Sequence, residues 1–195
     1  MKYPEYVKVN DRTYKIRTDF RIALRCNNIA TDDSIGDYER ALAIIYLLFE
    51  NGLDHREDYE KLLELATKYL SCGKEVTNSS NDEPDMDYNE DMDYIEASFM
   101  SDYHIDLANE KMHWWKFNKL MNGLSNSDMG NCCILNRIRN LRTYNTREIK
   151  DAKERAKIEK AKQQVALKRY RKENNLTKEQ EESMRRLDEI LKIGG

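Results

Sequence analysis

The chain has 195 residues, 39% hydrophobic and 35% charged, with a formal net charge of −3. That length suits one domain with an appendage, or two small domains. Its 12 Tyr, 4 Phe and 2 Trp exclude a wholly disordered chain, and only 7 Gly and 2 Pro favour long helices over strands and turns.

The net charge conceals an asymmetry. Residues 141–195 carry 16 Lys+Arg against 10 Asp+Glu, a net of +6, while the remainder carries 17 against 26, a net of −9. Residues 81–110 hold 11 Asp+Glu and no Lys or Arg. The expected organisation is an acidic body with a basic tail.

From the N-terminus, Tyr6, Val7, Val9, Tyr14 and Ile16 flank Asn10-Asp11-Arg12 and predict a β-hairpin over 5–17. Three helices follow. Thr18-Asp19 caps the first, which runs to about Asn28. Asp37 opens the second, with Tyr38, Ala41, Leu42, Ile45, Leu48 and Phe49 at helical spacing and Gly52 as its stop. The third runs from about Arg56 to Leu70. Hairpin and helices make a first domain, 1–70, and the polar stretch 71–86 reads as a linker.

A second helical domain covers 87–142. Its helices run from about Asn89 to Tyr103, Asn109 to Asn122 and Ser127 to Leu141. Met92, Ile95, Phe99 and Tyr103 form one stripe; Trp114, Phe117, Leu120 and Leu124 form another. Residues 143–195 are a charged helical tail, its first helix spanning 146–173. Such a helix has little to bury and is expected to project. Thr177-Lys178-Glu179-Gln180 matches a capping box for a last helix with the apolar stripe Met184, Leu187, Ile190 and Leu191, suited to docking or self-association. The expected fold is mainly α: a helical bundle with a short N-terminal hairpin and a long projecting C-terminal tail.

Groups for catalysis are scarce. His55, His104 and His113 sit in no catalytic or metal motif, and nucleophile-elbow, phosphate-loop and dinucleotide patterns are absent, so neither an enzyme nor a cofactor is expected. Cys26, Cys72, Cys132 and Cys133 have no zinc spacing and read as reduced, small apolar residues. No secretory leader is expected behind Met1, and the longest apolar run, Ala41 to Phe49, falls well short of the roughly 20 residues of a membrane span.

Asp85 to Glu96 places oxygens in the order of a calcium-binding EF-hand loop. Glu90, however, stands where the sharp turn needs Gly, and the stripe Met92, Ile95, Phe99 asks for helix; an acidic helix start is the better reading. In His113-Trp114-Trp115-Lys116-Phe117, neighbouring tryptophans point about 100° apart on a helix. Trp114 and Phe117 share one face, so Trp115 meets a second layer or a partner. Trp115 and Phe117, with Met184, Leu187 and Leu191, are the candidate partner contacts. The basic tail also suggests nucleic-acid binding through 142–172, but interleaved acids and few stacking aromatics argue against it.

Asp87, Asp91, Ile95 and Phe99 at four-residue spacing, then Tyr103-His104-Ile105-Asp106-Leu107, then His113-Trp114-Trp115-x-Phe117 with Leu120 and Leu124, resemble the phage and prophage Gp-fifteen family. Asp19-Phe20-Arg21 and Ile138-Arg139 fit the same pattern, and the resemblance spans roughly 18–142. His104 departs from it, standing where the family has Gly; Gly there points to a helix-ending turn at positive φ. The resemblance implies a tail assembly chaperone in the host bacterial cytoplasm. Its implied partners are the tape-measure and tail-tube proteins, bound by protein contact alone.

Overall fold

The computed structural model describes residues 2–74, 84–126 and 132–170. The chain divides into a body, Met1–Thr143, and a tail, Tyr144–Gly195. Among the described residues it is mainly helical, with seven α-helices and one two-stranded hairpin.

Strands β1 (Tyr6–Val9) and β2 (Arg12–Lys15) pair antiparallel, Val9 opposite Arg12 and Val7 opposite Tyr14. Asn10 turns the chain at φ 50, a left-handed conformation that Asn tolerates better than most residues. Alternation buries Val9 and Tyr14 and leaves Tyr6 exposed. The extended chain continues to Arg17, whose guanidinium donates to the carbonyls of Tyr46, Leu47 and Phe49 at 2.6, 3.1 and 3.1 Å. Those carbonyls close the second helix, where helical partners run out.

The three predicted N-terminal helices are present. Helix α1 (Phe20–Ala30) is capped by Asp19, whose carboxylate accepts the Arg21 N–H; α2 is Asp37–Leu48; and α3 (Tyr59–Leu70) follows a 3-10 turn, Arg56–Asp58. Helix α2 packs on both α1 and α3. Behind α2, a Cβ on Gly52 would stand 3.0 Å from the Ile45 carbonyl oxygen, closer than a side chain tolerates.

Helix α4 (Met92–Tyr103), α5 (Trp114–Asn122) and α6 (Ile134–Thr143) complete the body. Their starts differ from the sequence expectation. Helix α4 begins at Met92 and not Asn89, because Asp87 accepts the backbone N–H groups of Asn89 and Glu90 and holds a turn there. Helix α5 begins at Trp114 and not Asn109, because Asp106 makes a similar turn with the Ala108 N–H and Arg21 draws off the carbonyls of Leu107, Ala108 and Glu110. The third expected start, Ser127, lies outside the described residues, and α6 starts at Ile134.

The segments 1–70 and 87–142, expected as separate domains, share one hydrophobic core. Phe117 of α5 stacks on Phe20 of α1, with ring centroids 4.5 Å apart, and on Phe99 of α4, at 5.3 Å. Burying side chains such as these contributes about 1.5–3 kcal/mol each, which favours one shared core over two thin ones.

In the tail, a 3-10 turn (Thr146–Glu148) precedes α7 (Ala152–Val165), and a further 3-10 turn (Lys168–Tyr170) follows. The carboxylate of Asp151 caps α7 by accepting from the Lys153 and Glu154 N–H groups at 2.7 and 3.1 Å. The continuous helix expected over 146–173 is therefore shorter: Ala166 turns extended at ψ 143. Thr177, Met184, Leu187, Ile190 and Leu191 lie outside the described residues. Among the described residues no helix is long and apolar enough to cross a membrane.

Candidate functional site: a latched acidic helix and a tryptophan pair

The acidic start of α4 is tied to α6 by two arginines. Arg142 donates to both carboxylate oxygens of Asp91, at 2.6 and 2.7 Å, and to the carbonyl of Asp85 at 2.9 Å. Arg139 donates to the Asp85 carboxylate at 2.9 Å. Asp91 is fully buried, and its carboxylate also accepts the Asp87 N–H at 3.0 Å. Such a fork meets both oxygens at once, which a single-point cation does not. Its neighbour holds the Arg142 guanidinium pKa above the ordinary value, chiefly through the hydrogen bonds with Asp91. The oxygens of Asp85, Asp87 and Asp91, which follow calcium-loop order in sequence, thus face guanidinium and backbone N–H groups.

Helix α4 carries the rest of the acidic-helix motif inward. Ile95 and Phe99 are fully buried, and Tyr103 donates its hydroxyl to the Leu120 carbonyl at 2.9 Å. Ser98, also buried, accepts the Leu135 N–H at the start of α6. His104 ends the helix at φ 56 and ψ 34, and the N–H groups of His104 and Ile105 return to the carbonyls of Met100 and Phe99. This is the left-handed ending that the resemblance implied, adopted here by His. Asp106 then makes its turn, and Leu107 is buried.

The tryptophan pair follows from the start of α5. The Nδ1 of His113 accepts the Trp115 N–H at 3.0 Å, which leaves the ring proton on Nε2 to be donated to the Pro4 carbonyl at 3.0 Å. An antiparallel bridge sets His113 beside Asp19, with the Phe20 N–H donating to Met112 O and the Trp114 N–H to Thr18 O. The starts of α1 and α5 therefore lie side by side. Both indoles then reach the end of α3: Trp114 Nε1 donates to the Leu70 carbonyl at 2.9 Å and Trp115 Nε1 to the Tyr69 carbonyl at 3.0 Å.

The second layer foreseen for Trp115 is thus the C-terminus of α3 together with Gly73, whose backbone the ring covers at φ 75. Trp115 is half-buried. Phe117, expected as a partner contact, is fully buried at the centre of the core and presents no surface, because two residues on a helix turn it about 200° from Trp115, between Phe20 and Phe99.

A third cluster had no sequence signal. Asp58, fully buried at the start of α3, accepts from the Tyr14 hydroxyl at 2.6 Å, Asn10 Nδ2 at 2.7 Å and the Arg12 guanidinium at 3.0 Å. The Tyr14 hydrogen bond, with those of Arg12 and Asn10, holds the Asp58 carboxyl below the usual range. Burial, then that same bond, pushes the Tyr14 phenol up to about 12. The cluster fastens the hairpin to the helices, and Asp58 lies more than forty residues along the chain from the other three members.

No curated protein matches the chain, and no solved structure matches it. The family profile described as Bacteriophage Gp15 protein matches residues 2–167, which takes in the hairpin, the Asp91 latch, the His104 turn and the tryptophan pair. The chain belongs to the Bacteriophage Gp15 protein family.

Proposed function

We propose that the chain is a non-enzymatic phage tail assembly chaperone. In this reading it binds tape-measure and tail-tube proteins during morphogenesis in the host cytoplasm. The family match over residues 2–167 carries the reading. The use of the motif side chains supports it. The carboxylates of Asp85 and Asp91, the imidazole of His113 and both indoles all bond within the body. They build a scaffold whose activity lies in the surface it displays.

On that surface, Tyr38 and Tyr46 of α2 are 56% and 62% exposed, with half-buried Leu42 between them. Spacing of four residues sets the three along one side of the helix. Tyrosine is enriched where protein contacts carry most energy, so this stripe replaces Phe117 as the tape-measure contact, beside the half-buried Trp115. Met184, Leu187 and Leu191 are a further candidate contact, for docking or self-association.

Co-expression with the cognate tape-measure protein tests the reading. The two co-purify, the tape-measure protein gains solubility, and Tyr38→Ala/Tyr46→Ala weakens both effects. A tape-measure protein that neither co-purifies nor gains solubility defeats the proposal.

A further inference from the structure

In sequence, the acids and bases of the tail interleave. On α7 three of the five bases stand apart from the acids. At about 100° per residue, Lys153, Lys157 and Lys160 fall within an arc of about 60°, and Glu154 and Glu159 fall about 60° or more outside it. All three lysines are exposed. None of the three ammonium groups has an ion-pair or hydrogen-bond partner among the described residues, and their heads share one side of the helix over about two turns.

Three other charged groups of the tail are engaged within it. Asp151 caps the helix, Glu159 accepts the Thr146 hydroxyl at 3.3 Å, and Lys162 donates to the Tyr144 carbonyl. Half-buried Ile158 and Val165 lie on the helix side away from the lysines. Helix α7 thus has one face engaged in local structure and a second, cationic face with nothing set against it among the described residues.

We propose that the Lys153–Lys157–Lys160 stripe is a docking surface for an acidic helix or peptide of a partner protein. Carboxylates spaced three and four residues apart on a facing helix match the lysines one for one. Two features favour carboxylates over a phosphate backbone. The stripe carries no arginine for two-point phosphate binding, and no aromatic ring on it offers a base a platform. The proposal stands independently of the tail-assembly reading, because its test needs no phage component.

The test is binding of the full-length chain to a fluorescent polyglutamate peptide at low salt, with duplex DNA of equal charge alongside. Two triple variants are compared: K153Q/K157Q/K160Q on the stripe, and R147Q/R155Q/R171Q elsewhere in the tail. Gln is nearly as good a helix former as Lys, and far-UV circular dichroism checks that α7 persists. The stripe variant is expected to lose about tenfold in polyglutamate affinity, a loss that shrinks as salt screens the contact, while the second variant keeps most of it. No binding by the parent chain, or equal loss from both variants, overturns the proposal. Tighter binding to DNA than to polyglutamate also overturns it and assigns the stripe to nucleic acid.

Discussion

Arg142 closes on Asp91 with two bonds, 2.6 and 2.7 Å, across 51 residues of chain. The carboxylate is fully buried and the guanidinium nearly so, and the pair holds α6 against the start of α4. Removing one partner strands a charge without water. Arg142→Met is therefore expected to cost about 3 kcal/mol, and Asp91→Leu/Arg142→Met, which removes both charges, should recover much of that loss. Urea unfolding of the single and double variants measures it; a single variant as stable as the parent contradicts the latch.

His104 sits at φ 56 to end α4, a conformation in which a Cβ is strained. His104→Gly relieves that strain and is expected to stabilise the body by about 0.5–1 kcal/mol, net of the added freedom Gly gives the unfolded chain. The thermal midpoint should rise. His104→Val, branched at Cβ, should lower it.

Trp115→Phe keeps a ring over Gly73 and removes one hydrogen bond to the Tyr69 carbonyl. About 1 kcal/mol is expected from that loss. Trp114→Phe removes the equivalent bond to Leu70 from a site only 2% exposed and also leaves a void, so it should cost more. Denaturant midpoints of the two variants rank them.

The buried Asp58 gives the body an acid-sensitive point. Its carboxyl is held below the ordinary range in the folded chain, chiefly by the Tyr14 hydroxyl. A group depressed on folding stabilises the fold above its unfolded pKa and loses that contribution as pH falls through the folded value. Stability should therefore decline below about pH 4, where a free Asp begins to take up its proton. Asp58→Asn should be less stable at neutral pH and show a flatter decline in acid, measured as denaturation midpoint against pH.

Local features were legible in the sequence. The alternation around Asn10, the Asp19 cap and the apolar spacing in α2 and α3 located those elements, because each signal lies within a few residues of what it determines. The motif also marked Asp87, Asp91 and His113 without saying what they hold. Arg142 and Asp91 are joined only by the fold, as are Trp115 and Tyr69, and Asp58 and Tyr14. Competing local bonds displaced the starts of α4 and α5: periodicity sees apolar faces, but not an Asp side chain or Arg21 claiming backbone groups that a helix would use.

The bridge between Asp19 and His113 bears on how the chain is made. A ribosome releases Phe20 long before Phe117, the ring it stacks on. Until α5 emerges, the first three helices hold an incomplete core and the carbonyls of Tyr69 and Leu70 lack their indole donors. The N-terminal half, whose third helix ends at Leu70, therefore waits on about fifty further residues before it can settle, so the body closes late in synthesis and nearly as one event.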